Sequence, residues 1–330
     1  MERVDKAVLN MLKVNMGYKK GESIAIIMQL WNPNFPEHFR TAFEKSEKLC
    51  NKIQDVFNKA GISVDLFKYI PSEPRHGVDV SPELYDEFVY ADIIFEPTVF
   101  SLTHTNFSKV QVEKGARIAS TPTFTLDMFA KKGPMDVDYK RLEKITKDTA
   151  NKLSKSRFVK VTGKKTNITV EIDKKLVEAS SGLITKKGQV NNLPGAEAYA
   201  VPVHKGDSNG YFTVPKGWGG AKALKHELTF VVQNGMIIDI KGPKDYIEKE
   251  IKPIVFGGKD FNVLAELGIG TNPNITNEYI KKHGWSVLTG EKIYGSAHFA
   301  NGNSKGMGGK NDVPVHQDWV VPNVKIEFMK

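Results

Sequence analysis

Five acidic and imidazole side chains in the second half of the sequence are of the types that bind divalent metal ions: Glu197, Glu266, His298, His316 and Asp318. His316 and Asp318 are two residues apart in a β-like stretch, so both side chains would face the same side of a strand. Glu197 and Glu266 lie among Gly, Ala, Leu and Ile residues, where a bare carboxylate is unfavourable unless it is paired or bound to a metal. This ligand set suits Zn, Mn, Co or Fe and is large enough for two ions.

Each of these residues also has a simpler explanation when it is taken alone. A single His is usually at the surface or hydrogen-bonded, and a His-x-Asp pattern is common. The convergence of five such residues in Gly-rich stretches of low charge is what favours a metal site. Cysteine ligands are excluded because Cys50 is the only cysteine, which also excludes an internal disulfide framework.

Composition predicts a soluble protein of two domains. The chain has 330 residues, 40% of them hydrophobic and 26% charged, and is too long for one compact core. No apolar run approaches the roughly 18–20 residues needed to span a bilayer, and the first residues do not resemble a secretion leader, so we expect a cytoplasmic protein with no membrane partner. The net charge of +9 comes largely from lysines beside turn residues, without interleaved aromatic residues, so nucleic acid is not an expected partner.

The elements that would carry these residues change in type along the chain. Residues 1–155 alternate helices with short apolar strands, which predicts an α/β domain with a doubly wound parallel sheet. No Gly-rich phosphate loop follows these strands, so a bound nucleotide is not predicted. Residues 156–330 are dominated by short β runs and include an Asn234-Gly235 hairpin signal, which predicts an α+β domain that holds the metals.

Ordered motifs resemble the M29 family of metallo-aminopeptidases, the aminopeptidase T and aminopeptidase S group. The resemblance covers roughly residues 95–320. It rests on Ser101-Leu-Thr-His-Thr105, Glu113-Lys-Gly-Ala-Arg-Ile-Ala-Ser120, Asn192-Leu-Pro-Gly-Ala-Glu197, Ala265-Glu-Leu-Gly-Ile-Gly-Thr-Asn-Pro273, Gly290-Glu-Lys-Ile-Tyr-Gly-Ser-Ala-His298 and Gly308-Gly-Lys-Asn-Asp-Val-Pro-Val-His-Gln-Asp318.

By this resemblance the five residues named above fall on the family's metal ligands, with Glu266 as the bridge between two ions, and Glu291 falls near a further acidic ligand. The resemblance implies a hydrolase, a metallo-aminopeptidase in which two Zn, Co or Mn ions activate a water against the N-terminal amide of a peptide or small amide substrate. It also implies a homodimer, and we expect the active site in the cleft between the two domains.

Two further residues have candidate catalytic roles. Lys305 stands where the aminopeptidases have a tyrosine, and it is either a charged donor to an oxyanion or a solvated lysine in a Gly-rich turn. His104 follows a predicted strand of the parallel sheet, where ligands of such sheets bind. It is either a substrate-facing donor or a loop histidine hydrogen-bonded to Thr103 or Thr105.

Two alternatives to the peptidase remain. One is a mononuclear Fe(II) ring-cleaving enzyme resembling 2,5-dihydroxypyridine 5,6-dioxygenase, which shares the ending with His316 and Asp318 and has a His that matches His104. That branch is expected to have His at position 266 and no acid at position 197, so the ligand types of this chain favour hydrolysis. The other alternative is a noncatalytic metal-binding protein on the same scaffold.

Overall fold

Fifteen strands and nine α-helices lie in the residues that the computed structural model describes, which are 2–103 and 105–330, with only the backbone at residue 287. The strands are β1 (Ile24–Gln29), β2 (Asp65–Tyr69), β3 (Ile93–Glu96), β4 (Arg117–Ser120), β5 (Phe158–Gly163), β6 (Thr166–Ser180), β7 (Val190–Asn192), β8 (Glu197–Pro202), β9 (Asn209–Val214), β10 (Leu228–Gln233), β11 (Met236–Lys241), β12 (Leu264–Gly270), β13 (Ala297–Gly302), β14 (His316–Val321) and β15 (Lys325–Met329).

The helices are α1 (Arg3–Asn10), α2 (Arg40–Lys59), α3 (Pro82–Glu87), α4 (Asn106–Glu113), α5 (Tyr139–Ser154), α6 (Lys244–Tyr246), α7 (Lys252–Val255), α8 (Asn277–His283) and α9 (Val287–Gly290). Two short π-helical segments, Met11–Asn15 and Ile247–Ile251, continue α1 and join α6 to α7. None of these helices has the length and the apolar run that a membrane crossing requires.

A five-stranded parallel sheet forms the centre of the first unit, which extends to Lys140 and includes Gly182–Gly195. The strand order is β2-β1-β3-β4-β7, and every pair in it is parallel. The central strands β1, β3 and β4 are buried along their whole length. β1 and β3 are nearly continuous apolar runs, as strands covered on both faces usually are, whereas β4 has Arg117 and Ser120 at its ends. The predicted parallel sheet is confirmed, with β7 as an edge strand from a segment that is distant in sequence.

A curled antiparallel sheet forms the second unit, Arg141–Ser181 with Ala196–Lys330. Its main path is β11-β10-β9-β6-β8-β12-β13-β14, and β5 pairs with both β6 and β15. The long strand β6 has a register shift between Ile172 and Val177, and it pairs with β5 and β9 before the shift and with β8 mainly after it. The predicted β-rich region with a few helices is confirmed as part of a mixed α/β fold.

Aromatic packing anchors the strands of this second sheet. The ring of Phe212 on β9 stacks on Phe230 of β10 at a centroid distance of 4.9 Å, and on Phe299 of β13 at 4.4 Å. Trp319 of β14 packs on Phe230 at 4.7 Å. Because Phe299 and Trp319 use one face of their strands for this core, the alternate residues of β13 and β14 point to the opposite face.

Candidate metal centre

Four neighbouring strands, β8, β12, β13 and β14, carry the five predicted ligands on one face. The apolar residues between these ligands are buried in the core: Ala198, Leu267, Phe299 and Trp319. The pairing register aligns the strands so that the ligands meet. The register pairs are Glu197 with Gly270, Gly268 with His298, Glu266 with Ala300, and Ala300 with Asp318. Small residues on this face, Gly268, Gly270 and Ala300, leave space among the acidic and imidazole groups.

Glu266 is shared by two groups of side chains that could each hold a metal ion. One group is Glu197, Glu266 and His298, and the other is Glu266, His316 and Asp318; within each group the ligand atoms lie within 4.8 Å of one another. His298 Nε2 lies 3.1 Å from Glu266 Oε1, and His316 Nε2 lies 3.4 Å from Glu266 Oε2. The structure therefore brings together all five residues predicted first.

Electrostatics favour an ionised Glu266. Burial by itself would raise the pKa of Glu266, but the contacts with His298 and His316 outweigh it and hold the pKa below its ordinary range. Burial likewise opposes the charged form of His298, yet the carboxylate of Glu266 raises the pKa of His298 to about 9. In the absence of an ion, these groups neutralise one another.

His316 has the orientation expected of a metal-binding histidine. Its Nδ1 lies 2.7 Å from the backbone oxygen of Asn303, and a carbonyl only accepts, so Nδ1 carries the proton. Nε2, on the other side of the ring, faces Glu266 and, at 3.6 Å, Asp318 Oδ1. Burial opposes the charged form of His316, but these two carboxylates outweigh burial and raise its pKa well above the ordinary value, so a metal ion would bind at Nε2 by replacing a proton. Fixing one ring nitrogen in this way sets the tautomer and aims the lone pair of the other at a metal.

His298 is held differently. Its Nε2 contacts Glu266 Oε1 and lies 3.6 Å from Glu197 Oε2, but its buried Nδ1 has no hydrogen-bond partner among the described residues. The ring lies directly over Gly268, where an added Cβ would be only 2.0 Å from ring atoms. A glycine is therefore required at this position for His298 to reach Glu266.

Lys292 is a buried cation of the centre that the sequence analysis missed. Its Nζ lies 2.9 Å from Glu197 Oε1 and 2.7 Å from Glu291 Oε2, and its side chain is only 1% exposed. Burial would lower the pKa of Lys292, but the two carboxylates outweigh burial and raise it, so the ammonium is charged. The only signal in the sequence was a lysine directly after an acid in an otherwise uncharged stretch.

Two other predicted residues belong to neither group of potential ligands, and a third is not among the described residues. Glu291 accepts a hydrogen bond from Lys292 and belongs to neither group of potential ligands. Lys305 is 67% exposed on a short 3-10 helix and pairs with Asp312, so the structure does not bring its ammonium to the centre. His104 lies outside the described residues.

Comparison with known proteins identifies the family. A sequence model of the family described as NicX, 2,5-dihydroxypyridine 5,6-dioxygenase, matches residues 17–328, and the chain belongs to this family. No curated protein sequence matches the chain.

Two solved structures share the fold. The 2,5-dihydroxypyridine dioxygenase from Pseudomonas putida KT2440 is 15% identical with a TM-score of 0.76, and the alignment covers 99% of this chain and 94% of that one. AmpT from Thermus thermophilus is 11% identical with a TM-score of 0.64, and the alignment covers 99% and 95% of the two chains. The predicted fold relationship to the M29 aminopeptidases is therefore supported.

The prediction of a hydrolase is wrong, and with it the metallo-aminopeptidase and protease assignment. The family match over residues 17–328 and the dioxygenase neighbour point to an oxidoreductase. The error arose because carboxylates at positions 197 and 266 were interpreted as evidence for a two-metal hydrolytic centre. Glutamate and histidine are compatible with several metals and reactions, so ligand types alone do not determine the chemistry.

Proposed function

We propose that this protein is an Fe(II)-dependent ring-cleaving dioxygenase that acts on a dihydroxylated aromatic ring of the 2,5-dihydroxypyridine type. The observation that carries the proposal is the group of Glu266, His316 and Asp318 in a member of the NicX family, with His316 already oriented toward the other two side chains. The dioxygenase alternative of the sequence analysis thus replaces the peptidase.

The three side chains fit a divalent iron. One imidazole nitrogen and two carboxylates form a donor set suited to Fe(II) or Mn(II), and the two negative charges balance a doubly charged ion. Glu266 takes the position where the sequence analysis expected a histidine in the dioxygenase branch. The buried His298 contacts one oxygen of Glu266, at 3.1 Å, and the other oxygen faces His316.

Solvent reaches the group of Glu266, His316 and Asp318 from the side of β14, the edge strand that carries His316. The side chain of His316 is 33% exposed, whereas that of Glu266 is 9% exposed. Bound iron would supply the redox chemistry through which O₂ reacts with the ring, because no amino-acid side chain supplies it. The protein's part is to hold the three ligands, to keep the His316 tautomer fixed through Asn303, and to keep Glu266 ionised.

Oxygen uptake tests the proposal directly. The protein, purified without oxygen and loaded with Fe(II), should consume O₂ and the ring compound in equal amounts when it is given 2,5-dihydroxypyridine. Hydroquinone and catechol, added separately, would show whether the ring nitrogen is required. Uptake would be followed with an oxygen electrode, and loss of the ring by its ultraviolet absorbance.

Two variants separate the metal centre from general effects. His316→Ala should lose iron and oxygen uptake together, because it removes both a ligand and the contact to Asn303. His226→Ala, which changes an exposed histidine of the same unit, should retain both. An iron-loaded wild-type protein that consumes no oxygen with any of the three rings would refute the proposal.

A further inference from the structure

The ammonium of Lys292 lies where positive charge is needed beside Glu197. Lys292 follows α9 and precedes β13, and its backbone oxygen accepts a hydrogen bond from Asn272 N at 2.9 Å, which ties the segment down. Its side chain is 1% exposed, and those of Glu197 and Glu291 are 9% and 14% exposed. A buried ammonium is stable only where carboxyl groups pair with it, as Glu197 and Glu291 do here.

We infer that Lys292 takes the place of a second metal ion, so that the centre holds a single divalent ion at Glu266, His316 and Asp318. The inference rests on the proposed function only in that the metal ion binds at Glu266, His316 and Asp318. It concerns a residue of this chain and predicts how many ions the chain binds.

The contacts of Glu197 support this assignment. An ion in the group of Glu197, Glu266 and His298 would have to use Glu197 Oε2, since Oε1 is already bonded to the ammonium at 2.9 Å. The ion and the ammonium would then lie on the two oxygens of one carboxylate and repel each other at short range in a buried site. A lysine ammonium carries three donors and a full charge, so it satisfies carboxylates that a metal would otherwise neutralise.

The contrast between the two histidines supports it independently. His316 Nδ1 is bonded to a backbone oxygen, the arrangement that prepares Nε2 for a metal. His298 Nδ1 has no such partner among the described residues, and its Nε2 is engaged with Glu266 Oε1 at 3.1 Å. A hydrogen bond therefore fixes the tautomer of His316 for a metal ion, whereas neither His298 Nδ1 nor Glu197 Oε2 has a hydrogen-bond partner among the described residues.

Ion counting tests the inference without reference to activity. Wild-type protein saturated with Mn(II) or Fe(II) and freed of excess metal should contain about one ion per chain by mass spectrometry, where a two-metal site would contain about two. With Mn(II), electron paramagnetic resonance should show isolated ions rather than the coupled pair expected for ions about 3.5–4 Å apart.

Substitution of Lys292 should allow a second ion to bind in the group of Glu197, Glu266 and His298. Lys292→Met keeps most of the side-chain length and removes the charge, so Glu197 and Glu291 become free to bind an ion, and the count should rise to about two with a coupled Mn(II) signal. Lys292→Arg, which keeps the charge, and the double variant Lys292→Met with Glu197→Gln, which removes a ligand, should both stay at about one. Lys310→Met, at an exposed lysine, serves as the matched control.

The outcomes distinguish this inference from the proposed function. Two ions in the wild-type chain would overturn the inference whether or not oxygen is consumed, and so would a folded Lys292→Met protein that still binds one. If Lys292→Met fails to fold, Lys292→Gln, which also removes the charge, replaces it in the same count. One ion in the wild type, with two in Lys292→Met, would support the inference even if no dihydroxylated ring were oxidised.

Discussion

Replacing Glu96 by Gln should remove a pH-dependent loss of stability from the first unit. Glu96 ends β3 and is fully buried. Its Oε1 lies 3.0 Å from Ser108 Oγ, and its Oε2 has no hydrogen-bond partner among the described residues. Ser108 Oγ also lies 2.7 Å from the backbone oxygen of Leu102, which only accepts. A protonated Glu96 can therefore donate to Ser108, while Ser108 donates to Leu102.

The size of the effect follows from the pKa of the carboxyl group. Burial raises the pKa of Glu96 from 4.5 to about 8, against the opposing effect of Ser108. Between these values the unfolded chain has lost the proton and the folded chain has kept it, so stability falls as the pH rises. The slope is about 1.4 kcal/mol per pH unit, which amounts to roughly 2 kcal/mol between about pH 6 and pH 8 and levels off above that.

Urea unfolding followed by circular dichroism at several pH values would measure this loss. Glu96→Gln keeps an uncharged group of the same shape, so its stability relative to the wild type should increase from pH 6 to pH 8. Glu47→Gln, at an exposed glutamate, should follow the wild-type curve. If wild type and Glu96→Gln change in parallel over this range, Glu96 is not kept neutral in the folded protein and the reasoning is refuted.

Two further predictions concern stability, one at a close packing contact and one at an ion pair. Gly268→Ala would place a Cβ 2.0 Å from the ring of His298, so the ring must move, and we expect a loss of about 1–3 kcal/mol in urea unfolding; Gly306→Ala, where no atom lies within 4 Å, should show no such loss, and equal stability of the two variants would contradict the contact. Arg117→Met should lower the free energy of unfolding by about 2–4 kcal/mol, because Arg117 is 3% exposed, pairs with the partly buried Glu22 and donates to the backbone oxygens of Met16 and Gly17. Arg40→Met, at an exposed ion pair, should change it by less than about 1 kcal/mol, and similar losses for both arginines would argue against this reasoning.

Local patterns in the sequence determined the elements and the chemical types of the candidate ligands. The hairpin predicted at Asn234-Gly235 is present, and this turn joins β10 to β11. The alternation in β14 placed His316 and Asp318 on one face, as the structure has them. These features depend on residues a few positions apart, and so a single sequence contains them.

The tertiary structure decided which of these groups meet and what they do to one another. The sharing of Glu266 depends on the register of β12 with its neighbours, and β7 joins the parallel sheet from a segment that follows β6 of the other sheet. The ammonium of Lys292 reaches Glu197 only because separate parts of the chain fold together. The sequence showed carboxylates in apolar stretches that a positive charge must neutralise, and either a metal ion or a lysine can supply that charge. Only the distances between residues far apart in the chain distinguish the two.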